Sequence, residues 1–365
     1  MLTTKHHDGF CLWPSAVTRH SVAASPWRGG AGDVVREFTD ACRAEQLGAG
    51  VYLSPWDRNA ESYGEGDRYN DFYVAQLTEL LTRYGPLTEV WFDGANGEGP
   101  NGRHQAYDWP RIWGTVRRFQ PDAVIFSDAG PDIRWIGNET GSAGEPNWST
   151  VDPAVVPYPG ASGDAVTAEL QHGDPAGSVW RPGETDVSIR PGWFYHPAED
   201  DRAKTADQLV DIYGTSVGRN SKLLLNVPPT RAGLLADGDV ARLDAFHDRL
   251  GAMHAVNLAG HRALAWRAGD RTGSLDVDLG HTATVGVLRL SEDIAHGQRV
   301  ARYRVQGATD AGGWAELAAG ETIGYAKLHR IAPTQARRVR VDIQDAVAPP
   351  RRVALEIFPP VDAGS

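Results

Sequence analysis

The feature that most limits how this chain can fold is an alternation. From the N-terminus to about residue 250, short apolar runs alternate with amphipathic stretches of helical period. The apolar runs cover residues 2–5, 50–54, 88–92, 123–127 and 222–227, each bounded by Gly, Pro, Asp or Ser as buried strands are. Between them, Asp33 is placed to cap a helix with Val34, Phe38 and Cys42 on its inner face. Asn70 is placed to cap a second, carrying Val74, Leu77, Leu81 and Tyr84 and stopped by Gly85-Pro86. Asp108 precedes a third, with Pro110 in its first turn and Ile112, Trp113, Val116 and Phe119 inside. Val240, Leu243, Phe246 and Leu250 mark a late helix. Strands alternating with helices imply a parallel sheet, open or closed.

Two stretches break the alternation. Residues 138–203 are rich in Pro, Gly, Trp and acids with little periodicity, and a long irregular loop in a compact domain usually carries function. After about Asn257, residues 274–279, 284–290, 302–307, 338–343 and 353–357 read as β-rich segments separated by turns, the pattern of a small antiparallel sandwich. The expected domains are residues 1–256 and 257–365.

Charge narrows the function. The net charge is −11 and no run of Lys or Arg forms a basic stripe, which argues against nucleic acid and against an anionic membrane surface. No apolar run approaches the ~18 residues of a membrane-spanning helix. No stretch reads as a signal peptide, so the compartment is unassigned. Twelve Trp suit carbohydrate stacking as well as core packing. Cys11 and Cys42 offer neither a disulfide framework nor metal-type spacing and read as small buried hydrophobes.

The chemistry gathers at strand ends. The run 88–92 ends in Trp91-Phe92-Asp93-Gly94, a carboxylate beside an aromatic and before a Gly-rich loop. In a β/α barrel such positions line the active site, although an Asp there can also cap a turn. The first run ends in His6-His7-Asp8-Gly9; both imidazoles can face one site only where the strand ends or bulges. Each neutral ring offers sugar hydroxyls a donor and an acceptor, whereas two adjacent His without a spaced third ligand are weak support for a metal. The second run ends in Tyr52-Leu53-Ser54-Pro55-Trp56-Asp57-Arg58, and the fourth in Phe126-Ser127-Asp128 with Arg134-Trp135 soon after. Four such ends converging on one barrel face favour a carbohydrate enzyme.

The runs TTKHHDGFCLWPS, YLSPWDRN, EVWFDGANGEGPNG, SDAGPDIRWIGNETGSAGE and GRNSKLLLNVPPTRAGLL, in this order and spacing, resemble glycoside hydrolase family 29, the α-L-fucosidases, over essentially the whole chain. The likeness is strongest to the subgroup acting on α-1,3 and α-1,4 fucose of branched glycans. It implies a (β/α)-barrel followed by an antiparallel β-sandwich, a retaining mechanism, no cofactor or metal, and a fucosylated oligosaccharide as substrate. It assigns Asp93 as nucleophile, His6 and His7 as ligands of fucose hydroxyls, and Tyr52 and Trp91 as aromatic neighbours of the sugar. Trp56, Asp57 and Arg134 join them as substrate-binding candidates. The acid/base falls after SDAGPD, with Glu139 the choice and Glu145 the alternative. In the family two strands precede KHHDG, so the barrel is expected to lack its first strands and the chain to be poorly stable and inactive.

Overall fold

The computed structural model describes residues 1–260, 262–265, 269–309 and 312–360; residues 361–365, the end of the expected second domain, lie outside the described residues. Two compact units are distinguished, Met1–Trp135 with Ala154–Val166, and Ile136–Pro153 with Thr167–Ser365.

In the first unit β1 (Leu2–Lys5), α1 (Val34–Ala44), β2 (Gly50–Leu53), α2 (Asp67–Arg83), β3 (Glu89–Trp91), α3 (Trp109–Phe119), β4 (Val124–Ser127) and β5 (Ile133–Trp135) follow one another. The strands pair in parallel in that order, β1 to β5. Asp33 and Asp108 cap α1 and α3 as expected, accepting from Arg36 N and Arg111 N. Asn70 does not cap α2. The helix starts a turn earlier behind Gly66, and Asn70 is buried, donating to Ala106 O at 3.1 Å and accepting from Asp108 N at 3.2 Å. Its amide fastens α2 to the start of α3, a long-range contact that local capping rules cannot anticipate. One apolar cluster holds Val51, Leu53, Val90, Phe92 and Ile125 against Val35, Tyr69, Tyr73, Leu77, Ile112 and Val116 of the helices.

Further along the chain come β6 (Thr150–Val151), α4 (Asp164–His172), β7 (Val179–Trp180), β8 (Gly183–Ser188), α5 (Ala206–Thr215), β9 (Ser221–Asn226) and α6 (Asp237–His254). The stretch expected to be irregular thus contains an α-helix, a 3-10 helix (Pro197–Arg202) and three strands. β8 runs parallel to β9 and is buried at all six positions, yet four of them are Glu184, Thr185, Asp186 and Ser188. Hydropathy hides a strand built this way.

The last six strands are β10 (Arg262–Ala265), β11 (Gly273–Glu292), β12 (Val300–Ala308), β13 (Trp314–Gly320), β14 (Lys327–Ala346) and β15 (Arg352–Phe358), antiparallel in the order β10-β15-β11-β14-β12-β13. β11 and β14 are each 20 residues long, and shifts of register interrupt their pairing after Asp278 and again after Val285. Val277 from one half of β11 and Leu288 and Leu290 from the other meet Val339, Val341, Leu355 and Ile357 in one core, so the bulged strands fold the sheet onto itself as a sandwich.

Candidate active site

Side chains alternate across a strand, and β2, β3 and β4 share the same phase. Val51, Leu53, Val90, Phe92 and Ile125 point into the helix-facing core, which leaves Tyr52, Trp91 and Phe126 on the opposite face. Tyr52 and Trp91 lie 5.2 Å apart and Trp91 stacks on Phe126 at 4.1 Å. Asp93 continues the phase of Trp91 one step past the strand. Its carboxylate is fixed at both oxygens, Oδ2 accepting from the Tyr52 hydroxyl at 2.8 Å and Oδ1 from Ala95 N at 2.7 Å. The side chain keeps 27% of its surface exposed, so it is held and still reachable.

The His pair reaches the same place because β1 ends there. Its pairing with β2 slips between Thr3 and Lys5, and the chain turns at Gly9 with φ +77°. The rings of His6 and His7 then lie 3.9 Å apart, His6 stacked over Tyr52 and His7 4.7 Å from Trp56. Burial lowers the pKa of His6, against the pull of Asp93. Burial and then His6 lower that of His7 to about 4, so at neutral pH both rings are uncharged. The Ser54 hydroxyl donates its proton to Trp56 O at 2.8 Å, so at 2.7 Å it accepts from His7 Nδ1. That leaves His7 Nε2 as an acceptor, 3.9 Å from Asp93 Oδ2. Neutral imidazole and carboxylate at this separation are not an ion pair.

Trp56 donates to Glu98 O at 3.0 Å, and its ring lies so close to Gly97 that no Cβ fits there. Asp57, by contrast, does not face the opening. It is 1% exposed; Oδ2 binds Lys5 Nζ at 3.1 Å, and Oδ1 accepts from Asn59 N and Ala60 N. Its carboxylate braces the loop that carries Trp56 and packs on Gly9, where a Cβ would lie 2.9 Å from Asp57 Cγ. Arg134, on β5, is 1% exposed.

Asp128, at the end of β4, stands beside Asp93 without having been singled out as a site residue. Burial raises its pKa to about 6, against the hydrogen bond from Gly160 N at 2.7 Å and helped by the charge of Asp93. A Cβ on Gly94 would collide with the Asp128 carboxylate and come within 2.8 Å of Gly160 N, so the loop after Asp93 is clasped from two sides. Asp128 ends its strand much as Asp93 ends β3, and applying one rule to both would have found it.

In the second unit Glu139 is exposed and accepts from Trp193 Nε1 at 3.2 Å. Nothing in the sequence links residues so far apart. Glu145 is bound to Lys327 and lies 3.4 Å from Arg219 Nε. Burial alone would raise its pKa, but the two cations hold it below the usual value. The backbone between these glutamates and β6 is anchored by buried amides. Asn147 N donates to Thr322 Oγ1 at 3.1 Å, Ser149 N to Gln298 Oε1 at 2.8 Å, and Gln298 Nε2 back to Asn147 O at 3.0 Å.

The family model for α-L-fucosidases matches residues 1–252. The chain belongs to the α-L-fucosidase family. This is a family of glycosidases, and the wider likeness agrees with the assignment. Alpha-L-fucosidase 1 of Arabidopsis thaliana is 40% identical over 380 residues, covering 96% of this chain and 73% of that protein. A solved Bacteroides ovatus structure is 42% identical with a TM-score of 0.85; it is matched by all of this chain, which spans 64% of its length. A GH29 fucosidase of Ruminococcus gnavus, solved in complex with fucose, is 30% identical with a TM-score of 0.85, covering 99% of this chain and 82% of that one. These fucosidase folds agree with a parallel (β/α)-barrel sheet followed by an antiparallel sandwich. No helix of the described residues is long and apolar enough to cross a membrane.

Proposed function

We propose that this chain hydrolyses α-1,3- and α-1,4-linked L-fucose from branched oligosaccharides with retention of configuration. The observation that carries the reading is the setting of Asp93: a carboxylate anchored at both oxygens, still accessible, beside two uncharged imidazoles and the Tyr52–Trp91 wall. Asp93 attacks the anomeric carbon and forms a covalent fucosyl-enzyme; Glu139 protonates the departing glycan oxygen and then deprotonates water. Glu145 suits this task poorly, because two cations favour its ionised form and an acid must arrive protonated. His6 and His7 bind hydroxyls of the uncharged sugar, His7 through Nε2 as an acceptor, with Tyr52 and Trp91 against its ring and Trp56 at the rim. Asp57 acts through the Trp56 loop rather than on the sugar. Arg134 is assigned to substrate binding only on its place just after the strand end at Asp128. The mechanism uses no cofactor.

The test is fucose release from a Lewis-type trisaccharide and from an aryl fucoside, with the first-formed anomer followed by NMR. α-L-Fucose appearing first supports retention; the β anomer first overturns it. Failure to release fucose from either substrate overturns the hydrolase reading in favour of a sugar-binding protein. A second prediction concerns Tyr52→Phe. Losing one hydrogen bond to a charged group costs about 1.5–3 kcal/mol, so kcat/KM should fall by roughly 10- to 150-fold. The folded structure, read by circular dichroism, should be unchanged.

A further inference from the structure

A general acid must sit against the oxygen of the group it expels, so whatever flanks it borders the leaving group. Glu139 is flanked by the loop that follows β8. Trp193 donates to it at 3.2 Å, and the neighbouring Phe194 is 55% exposed. That exposure does not come from a slack loop. Ser188 Oγ donates to Gly192 O at 2.7 Å, and Asn226 Nδ2 donates to Trp193 O at 3.0 Å. Arg190, 2% exposed, lies 4.6 Å from the Tyr195 ring and donates to His196 O at 3.4 Å. Its guanidinium is locked in turn by Asp239 at 2.7 Å and Asp200 at 2.8 Å. The loop is therefore braced along its length and holds the Phe194 ring more than half exposed.

A pyranose has one face of C–H bonds that packs on an aromatic plane, and a rigid platform loses little freedom on binding it. We propose that Trp193 and Phe194 form the subsite for the pyranose from which fucose is cut. The proposal rests on reading Glu139 as the acid/base. Phe194 supplies the apolar platform. Trp193 is a positioning residue, its indole N–H aiming the Glu139 carboxyl at the glycosidic oxygen.

The experiment compares a fucosylated trisaccharide with fucosyl fluoride, which carries no leaving sugar and needs no proton to depart. Phe194→Ala should raise KM for the trisaccharide and lower the ratio of its kcat/KM to that of the fluoride at least tenfold, with Phe194→Tyr restoring the ratio. Trp193→Phe keeps a ring but loses the N–H, and should lower the trisaccharide kcat more than its KM rises. Equal losses on both substrates, or an unchanged ratio in Phe194→Ala, overturn the subsite. Trisaccharide turnover that survives Glu139→Gln, or wild-type protein that releases no fucose, overturns instead the reading on which it rests.

Discussion

Asp93→Ala should lower kcat on an aryl fucoside by about 10⁴-fold or more, the scale seen when a covalent nucleophile is deleted. The size follows from the geometry. Tyr52 and Ala95 spend their hydrogen bonds on orienting this carboxylate, and the neighbouring Asp128 carboxyl is buried and bound to Gly160 N, so it does not take its place. His7 Nε2 lies 3.9 Å from the carboxylate, but it is uncharged and aimed by Ser54. Removing the carboxylate leaves a small polar gap beside the Tyr52 hydroxyl, which an azide ion can enter. Azide should then restore turnover and attack from the face Asp93 vacated, giving β-L-fucosyl azide. Full activity without azide, or the α-azide as product, would remove Asp93 from the nucleophile role.

The second large effect is on stability. Lys5 and Asp57 form an ion pair whose side chains are 0% and 2% exposed. Breaking such a pair from one side strands a buried charge and costs about 3–5 kcal/mol. The two halves are not equal. Lys5→Met leaves Asp57 still accepting from Asn59 N and Ala60 N, whereas Asp57→Ala strands the ammonium and both amides, with Gln76 Oε1 at 3.0 Å as the remaining acceptor on Lys5. Asp57→Ala should therefore lower the urea midpoint further than Lys5→Met; the reverse order would contradict this assignment of the contacts. The pH dependence has a definite sign. Burial pushes the Asp57 pKa up, but Lys5 and the two amides outweigh it and leave it below the ordinary 3.8. A depressed folded pKa means the contribution is present above pH 3.8 and is lost as pH falls through the lower folded value. Wild-type protein should lose stability over that acid window, and Lys5→Met should lose less.

The parallel sheet was readable because β1 to β4 and β9 are apolar runs between turn residues, and a two-residue period made the phase of Asp93 predictable. Asp33 and Asp108 could be recognised as caps because capping is local. Asn70 could not, since its partners Ala106 and Asp108 arrive from another helix. β8 went unseen because its buried positions are polar, and β5 because three residues carry too little pattern. The site divides along the same line. The strand ends bearing His6, His7, Tyr52, Trp91 and Asp93 announced themselves as aromatic–polar clusters. The link from Trp193 to Glu139 spans a loop excursion and leaves no trace in spacing. Asp57 was misplaced for a related reason: a carboxylate next to Trp56 looks like a sugar ligand until its buried partner Lys5 is known.

The amide anchors of the Glu139 segment bear on how such proteins can be recombined. Gln298 and Thr322, which hold Asn147 and Ser149, lie on connections between strands of the antiparallel sheet. A chimera that swaps only the β-rich part for that of a relative would thus also exchange the moorings of the Glu139 segment. Modularity here is incomplete, and grafts that keep Asn147, Ser149, Gln298 and Thr322 together should outperform those that cut between them.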